Sequence, residues 1–392
     1  MTRKALVAGV GMVKFAKPGE NENYDVMAEK AVREALQDAG IDYAEVQQGY
    51  ASYIYGDSTC GQKALYRVGE TAIPIINVNN NCSSGSTALF LARQAVMGGS
   101  VECALVVGFE QMRPGALGTV WDDRPSPFDD FTGHLNRLGY AVTKAGPAPC
   151  VFGAGGMDYL ERYDADPAIF GKVAVKTRNH AAKNPYALFT KPMTLEEVMT
   201  SPVIYEPHLT RFMACPPTCG AAAAIVCSEE FAARHGIGHG VEMAGQGMAT
   251  DHSDSWDSAM NLVGAQMTRR AAAVAYEQAG IGAEDADVVE LHDCFTPNEV
   301  ITYEGLGLCG EGEASRFIND GDNTYGGKVV VNPSGGLMSK GHPIGATGVA
   351  QCVELCWHLR GLAGARQVEG ARVALQHNLG LGGAAVVTVY RV

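Results

Sequence analysis

Apolar and polar positions along the chain follow two different periods. Short apolar runs typical of buried strands are KALVAGVGM, CALVVGFEQM, AAAAIVCS, DVVELHD and the C-terminal VALQHNLGLGGAAVVTVYRV. Amphipathic segments with helical spacing, such as NYDVMAEKAVREALQDAG and QMTRRAAAVAYEQAG, lie between them. Strands that alternate with helices of this length predict an α/β protein.

Two further segments, STALFLARQAV and ATGVAQCVELCWHLRG, are apolar nearly all round. A helix with this pattern is buried on every side, so we expect the pair to pack between two sheets. Each half of the chain also carries a cysteine, Cys82 or Cys294, where a strand leads into a helix, followed later by an Ala-rich strand after a glycine turn. This repeated pattern predicts a duplicated unit in which the two cysteines occupy equivalent corners.

The first half is about 49 residues longer than the second between these equivalent points. From about Leu117 to Met213 the composition shifts towards Pro, Asp, Asn and aromatic residues, which is typical of long functional loops. We therefore expect an N-terminal half in residues 1–117 and 214–235, an inserted loop domain in 118–213, and a C-terminal half in 236–392. Aromatic residues of the insert are candidates for the wall of a binding pocket or for ordinary packing: Phe131, Tyr159, Tyr186 and Phe189.

Hydrophobic content, net charge and cysteine content exclude several classes of function. With 392 residues and 46% hydrophobic content, the chain can bury a large core. The net charge of -13 and the absence of a Lys/Arg block argue against a nucleic-acid or anionic-membrane partner. Eleven cysteines without a C-x-x-C pair indicate reduced thiols, and the sequence shows neither a signal-peptide pattern nor an apolar run of about 18 residues. We therefore expect a cytoplasmic protein without a membrane span, a metal site or a tightly bound cofactor.

The first candidate for chemistry is Cys82. The β-branched run IPIINV precedes it and an apolar helix follows, so the pattern places Cys82 at a helix N-terminus. Unpaired backbone N–H groups and the helix dipole favour negative charge there, which predicts a lowered thiol pKa and a nucleophile. The alternative is a small buried hydrophobic residue.

Two other corners carry reactive side chains. In NPSGGLMSKGHPIGATG, glycines surround His342 on a tight loop before a helix, and ELHDCFTPNE places Cys294 at the end of a strand. A thiolate, an imidazole that takes its proton and a second thiol as acid or base suffice for acyl transfer coupled to proton movement at carbon. Each motif alone is also compatible with a surface histidine or a buried cysteine.

Together these stretches resemble the thiolase superfamily, specifically the sterol-carrier-protein type of 3-oxoacyl-CoA thiolase. The resemblance runs through almost the whole chain, in GVGMVKF, YGDSTCGQ, PIINVNNNC, ELHDCFTPNE, NDGDNTYGGK, VNPSGGLMSKGHPIGATG and ALQHNLGLGG. It implies a duplicated βαβαβαββ unit in a five-layered αβαβα arrangement, with an inserted loop domain in 118–213 that binds substrate and coenzyme A. No appended sterol-carrier domain is expected after Val392.

The resemblance also implies residue roles. Cys82 is similar to the family's nucleophile and His342 to the base that activates it. HNLG stands where most thiolases have C-x-G, and in the sterol-carrier type Cys294 takes over as proton donor and acceptor at the α-carbon. His292 resembles the group that polarises the thioester oxygen, and the backbone N–H groups of Cys82 and Gly380 resemble the hole for the second oxyanion.

The implied activity is thiolytic cleavage of 3-oxoacyl-CoA by coenzyme A to acetyl-CoA or propionyl-CoA and a shortened acyl-CoA, reversible as a Claisen condensation, in fatty-acid or sterol side-chain degradation. Acyl-CoA and coenzyme A are the implied partners, and a homodimer or dimer of dimers the implied assembly. The alternatives are a retro-aldol lyase on acyl-CoA, a condensing synthase and a non-catalytic acyl-CoA or lipid-binding protein. Cys219 stands where the family commonly has Asp, and we expect a structural effect.

Overall fold

The computed structural model describes residues 3–114 and 120–392. The strands within these ranges are β1 (Ala5–Met12), β2 (Gln48–Ser52), β3 (Ile75–Val78), β4 (Cys103–Glu110), β5 (Val203–Tyr205), β6 (Leu209–Thr210), β7 (Gly220–Ser228), β8 (Val241–Ala249), β9 (Val288–Glu290), β10 (Val330–Val331), β11 (Val373–Leu379) and β12 (Ala385–Arg391). The helices are α1 (Tyr24–Ala39), α2 (Cys60–Tyr66), α3 (Ser84–Met97), α4 (Asp129–Arg137), α5 (Pro147–Tyr163), α6 (Ala168–Ala181), α7 (Leu195–Met199), α8 (Glu229–Arg234), α9 (Ala259–Leu262), α10 (Ala265–Ala279), α11 (Thr296–Leu306), α12 (Ala314–Asn319) and α13 (Thr347–Leu359). The apolar runs of the sequence thus become strands and helices as predicted.

Strand order shows the duplication directly. The first half is ordered β3-β2-β4-β7-β1 and the second β10-β9-β11-β12-β8, which is the same order twice. The halves join between β1 and β8, where Leu6 pairs with Glu242 and Val7 with Val241 in an antiparallel register. The two five-stranded halves therefore run on into one ten-stranded sheet, which the sequence pattern did not predict.

Helices cover both faces of each half. The two apolar helices α3 and α13 contact each other, and they pack against β2, β4, β7 and β11. The amphipathic helices lie outside, α1 on β1 and β7 and α10 on β8 and β12. This is the predicted five-layered αβαβα arrangement, with the all-apolar helices in the central layer.

The predicted equivalence of Cys82 and Cys294 is wrong. Cys82 lies between β3 and α3, whereas Cys294 follows β9, the counterpart of β2. The counterpart of the Cys82 corner is the loop before α13, which carries His342. The strand β3 is also less buried than its β-branched sequence suggests, because it forms the edge of the sheet.

The extra length of the first half lies between β4 and β7. Residues 111–219 make this connection and include α4 to α7 and the β5-β6 hairpin, whereas residues 380–384 connect β11 to β12. The predicted domain boundary at residues 117 and 118 lies outside the described residues, so the three-part domain division stays a prediction. In the part of the chain that the structure describes, no helix has both the length and the apolar character needed to cross a bilayer.

The contact between α3 and α13 gives the first testable prediction. A Cβ added at Gly348 would lie 2.3 Å from the backbone nitrogen and from the hydroxyl oxygen of Ser86. Gly348→Ala must therefore push the two central helices apart, and we expect it to lower the free energy of unfolding by about 1–3 kcal/mol. Chemical denaturation measures this change.

Gly133→Ala is the matched control. Gly133 lies inside α4 with no atom within 4 Å of an added Cβ, so alanine there is expected to be neutral or to stabilise the helix by up to about 1 kcal/mol. Equal stability of Gly348→Ala and the unmodified protein would contradict the close packing of the central layer.

Candidate active site

Three side chains from three loops meet at one point. The sulfur of Cys82 and one ring nitrogen each of His292 and His342 lie within 4.8 Å of one another. The two imidazole rings are nearly perpendicular, with centroids 5.1 Å apart. The loops before α3, after β9 and before α13 thus bring together three of the predicted site residues.

The Cys82 corner is a tight turn into α3. Asn81 takes a left-handed conformation with a φ of 51°, and the Ser84 hydroxyl accepts from the Asn80 backbone N–H at 2.8 Å. The predicted position of Cys82 just before a helix N-terminus is confirmed. Its predicted low pKa is wrong, because burial and the nearby Glu110 carboxyl raise the pKa of Cys82 to about 12.

His342 is held as a neutral base. Its Nδ1 lies 2.7 Å from the Thr347 hydroxyl, which itself donates to the Pro343 carbonyl at 3.1 Å. The hydroxyl therefore accepts from Nδ1–H, which leaves the lone pair on Nε2. Nε2 is buried and has no hydrogen-bond partner among the described residues. Burial also lowers the pKa of His342 to about 3.

His292 is fixed from several sides. Its backbone N–H donates to Nδ1 of His377 at 3.4 Å, and its carbonyl accepts from the Asn298 amide at 2.5 Å. Its ring Nδ1 lies 2.9 Å from the Asn378 amide nitrogen. Burial, followed by the neighbouring His342 and His377, holds the pKa of His292 well below its usual range, so the ring is neutral.

Cys294 lies beside this group rather than within it. Its side chain is buried, and its carbonyl accepts from the Cys215 backbone N–H at 2.8 Å. Burial raises the pKa of the Cys294 thiol well above its ordinary value, and the thiols of Cys215 and Cys82 raise it further. A thiol with a raised pKa keeps its proton at neutral pH.

Gly380 approaches the Cys82 loop closely. A Cβ at this position would lie 2.2 Å from the Asn80 carbonyl and 2.9 Å from the Ser83 backbone nitrogen, so only glycine fits. The Gly380 N–H, however, donates to the Ala384 carbonyl at 2.8 Å. Its predicted part in an oxyanion hole stays a prediction and requires this hydrogen bond to be shared or released.

Several groups that support these loops were not predicted from sequence patterns. Glu110, at the end of β4, accepts from the backbone N–H groups of Ile54, Tyr55 and Gly345, and so links both halves. Burial raises the pKa of Glu110 to about 7. Its partners are 55 or more positions away in sequence, beyond any local pattern.

Two further residues support the histidine loops. The Asp293 carboxylate accepts from the Leu337 N–H at 2.7 Å, at the start of the segment that leads to His342. The Thr218 hydroxyl accepts from the His342 backbone N–H at 3.1 Å. Asp293 lies in the ELHDCFTPNE motif, and Thr218 lies in CPPTC between Cys215 and Cys219. Their spacing alone does not indicate that they support the site.

Cys219 has a backbone-binding role. Its sulfur accepts from the Met112 N–H at 3.2 Å and lies 3.5 Å from the Met112 carbonyl, so it ties the end of β4 to the start of β7. This is the structural effect expected where the family has Asp. Among the aromatic candidates, Phe131 and Tyr159 are fully packed in the core, which favours the packing interpretation for these two.

The family follows from a comparison with known protein families. Residues 6–230 match the description "Thiolase, N-terminal domain", and residues 247–391 match "Thiolase C-terminal domain-like". The chain belongs to the thiolase family. Both halves of this thiolase are covered, and the predicted acyltransferase class is confirmed.

Individual relatives agree with this assignment. The thiolase is 52% identical to "Sterol carrier protein 2" of Gallus gallus over 100% of its own length and 72% of that protein. It is 30% identical to "Acetyl-CoA acetyltransferase" of Methanothermobacter thermautotrophicus, over 99% of both chains. The solved "Ltp2-ChsH2(DUF35) aldolase" superposes with a TM-score of 0.80 at 23% identity, covering 99% of this chain and 97% of that one, which shows a shared fold.

The raised pKa of Cys82 gives a pH prediction for the free thiolase. Below a pKa of about 12, the thiolate fraction grows with pH. We therefore expect the rate of Cys82 alkylation by iodoacetamide to rise about tenfold per pH unit from about pH 7 to about pH 9. Mass spectrometry of the Cys82 peptide gives the rate at each pH.

The Cys82→Ala variant corrects for labelling of the other cysteines. A rate that stays constant over this range would contradict the raised pKa and would indicate a thiolate already formed beside a histidine cation.

Proposed function

We propose that this thiolase cleaves 3-oxoacyl-CoA with coenzyme A, giving acetyl-CoA or propionyl-CoA and a shortened acyl-CoA, and that it runs the reverse Claisen condensation with the same groups. The observation that carries the proposal is the meeting of the Cys82 sulfur with ring nitrogens of His292 and His342 within 4.8 Å. Acyl transfer needs this combination of nucleophile, base and hydrogen-bond donor. The proposed setting is fatty-acid or sterol side-chain degradation, with coenzyme A as co-substrate.

The first half-reaction forms the acyl-enzyme. Nε2 of His342, which has a free lone pair, takes the proton of Cys82, and the sulfur attacks the 3-oxo carbon. Because the resting thiol is neutral, the proton moves as the bond to carbon forms. The negative oxygen that develops lies against the backbone N–H groups of Cys82 and Gly380, provided that Gly380 shares its bond to Ala384.

Cleavage of the C2–C3 bond leaves its electron pair on the acetyl-CoA fragment as an enolate. His292 stabilises the enolate oxygen by donating a hydrogen bond, and Cys294 gives its proton to C2. The raised pKa of Cys294 supports this role, because its thiol is protonated before the step. Acetyl-CoA then leaves.

The second half-reaction frees the enzyme. Coenzyme A enters as a thiol and gives its proton to the Cys294 thiolate, and its sulfur attacks the carbonyl of the acyl-Cys82 thioester. The bond to Cys82 breaks, and its sulfur takes back a proton. The first half-reaction leaves the Cys82 proton on His342 and Cys294 as a thiolate. In the second, Cys294 regains a proton from coenzyme A and His342 returns its proton to the Cys82 sulfur, so the protons balance over the full cycle.

Retro-aldol cleavage is the competing activity, and the aldolase named above shares the fold. A retro-aldol reaction needs neither an acyl-enzyme nor coenzyme A as acceptor. Cys82 lies beside His342, and the Cys294 thiol neighbours that of Cys82. The presence of both thiols favours thiolysis, because a lyase or a lipid-binding protein has no use for two thiols there. Coenzyme A dependence separates these activities in one assay.

The proposed assembly is based on one of the two edges of the sheet. The strand β3 forms that edge, and Ile75 and Ile76 on it are only half-buried. An unpaired apolar edge favours strand pairing across a two-fold axis. We propose a homodimer, or a dimer of dimers, built on this edge.

The proposed reaction is tested by the release of acetyl-CoA from a straight-chain 3-oxoacyl-CoA with and without added coenzyme A. We expect release that depends on coenzyme A and that falls at least about 10³-fold in Cys82→Ala, because no acyl-enzyme forms without the sulfur. Release that is independent of coenzyme A and of Cys82 would overturn thiolysis and favour a lyase.

The role of Cys294 has a separate test. In deuterated water, a thiolase exchanges the α-protons of acetyl-CoA through the acid that protonates C2. We expect Cys294→Ala to slow this exchange by about 10²–10⁴-fold, because the variant lacks the thiol that protonates C2 in the proposed reaction. NMR of the methyl group measures the exchange.

Cys309→Ala is the control, since Cys309 is a half-buried thiol that packs against the core away from the three loops. Normal exchange in Cys294→Ala would exclude Cys294 as the acid. Alkylation of Cys82 in the same variant shows whether the nucleophile has stayed in place.

A further inference from the structure

A buried chain of hydrogen bonds leads from strand β11 to the ring of His292. Its members are the side chains of Gln376, Ser86, Asn378 and His292. The first three are fully buried, and His292 is 1% exposed. Buried polar groups of this kind are almost always fully hydrogen-bonded, so the direction of each bond can be followed from one end.

The backbone carbonyl of Gly348 determines the orientation of the first amide in the chain, that of Gln376. The Gln376 side chain contacts the Gly348 carbonyl, which can only accept, so the amide nitrogen of Gln376 faces it. The Tyr390 hydroxyl, 2.6 Å from the other end of this amide, fits as donor to its oxygen. The same Gln376 nitrogen donates to the Ser86 hydroxyl at 2.9 Å.

The Ser86 hydroxyl determines the orientation of the Asn378 amide. Having accepted from Gln376, its hydroxyl donates its own proton to the Asn378 amide oxygen at 2.9 Å. The amide nitrogen of Asn378 is then the end that faces His292, and it donates to Nδ1 at 2.9 Å. A neutral imidazole whose Nδ1 accepts carries its proton on Nε2.

We infer that Asn378 is a positioning residue that holds His292 in the Nε2–H tautomer, with this N–H free to donate to the thioester oxygen of the substrate. The donation to substrate rests on the proposed thiolase function, whereas the hydrogen-bond directions and the tautomer of His292 do not. Nε2 of His292 has no hydrogen bond to another of the described residues, so the donor is available.

His377 supports the same loop from the neighbouring position. Its Nδ1 accepts from the His292 backbone N–H, and its Nε2 lies 3.0 Å from the Thr268 hydroxyl. Adjacent residues of β11 therefore hold the backbone and the ring of His292 separately. A change at Asn378 leaves the backbone support in place, which makes the ring tautomer testable by itself.

The first test measures the tautomer in the unmodified protein. Nitrogen-15 NMR of histidine-labelled protein distinguishes a protonated ring nitrogen from an unprotonated one, and His292→Asn identifies the signal that belongs to His292. We expect a neutral ring with the proton on Nε2. A proton on Nδ1 would overturn the inference whether or not the protein is active as a thiolase.

The second test reverses the donor. Asn378→Asp keeps the shape but replaces the donating amide with an acceptor, so Nδ1 must carry the proton and Nε2 becomes an acceptor. We expect kcat for thiolysis at about pH 8 to fall about 10²–10³-fold with little change in KM, because the lost donor acts on the developing enolate.

The pH profile separates positioning from packing. The carboxylate of Asn378→Asp favours a doubly protonated His292, which regains an Nε2–H, so we expect part of the activity to return as pH falls. The titratable groups that face His292 are His342 before α13, His377 on β11 and Cys82 before α3, with Asp293 and Cys294 next to it in the chain. These groups are unchanged in the variant.

Asn378→Ala and Asn319→Asp are the controls. Alanine removes the donor without supplying a carboxylate, so its loss of activity is expected to persist at lower pH. Asn319, exposed at the end of α12, tests the effect of an added negative charge, and its variant should behave as the unmodified protein. Equal losses at every pH in Asn378→Asp and Asn378→Ala would reduce Asn378 to a packing residue and overturn the inference.

Discussion

The close contact of α3 with α13 is the constraint on which the rest of the site depends. Gly85 and Gly348 let the two backbones approach until an added Cβ would lie 2.9 Å or less from the other helix. Because Cys82 and His342 sit in the loops just before these helices, the packing of the central layer decides how far apart they are. Each half of the duplicated fold supplies one of the two groups, so neither half holds the pair by itself.

Burial then decides the chemistry of that pair. A thiolate beside an imidazolium has to be desolvated as two charges, whereas a thiol beside a neutral imidazole has no such cost. Burial raises the pKa of Cys82 and lowers the pKa of His342, so both shifts favour the neutral pair. In the proposed reaction, the proton consequently moves only when the sulfur gains a bond to carbon, and the hydrogen bond from Nδ1 to Thr347 leaves Nε2 as the atom that receives it.

The sequence was a good guide to local structure and to residue types. The alternation of strands and helices, the two all-apolar helices and the corner at Cys82 all follow from patterns within a few turns of chain. The direction of the Cys82 pKa shift did not follow, because the helix dipole is a local effect whereas desolvation depends on loops far away in the sequence. The equivalence of Cys82 and Cys294 failed for a similar reason, since strand order is set by pairing between distant segments.

This chain departs from the common thiolase pattern at two positions, Asn378 and Cys294, and the two departures are related. The resemblance implies a catalytic thiol in the C-x-G motif of most thiolases, where this chain has Asn378, and an acid in the loop of Cys294 instead. The proposed roles give that loop two reacting groups, His292 and Cys294, and three side chains hold His292 in place. Asn298 binds its carbonyl, His377 its backbone N–H and Asn378 its ring. A thiol at position 378 has no amide N–H to direct the His292 proton, so moving the acid onto this loop also frees the end of β11 to orient its neighbour.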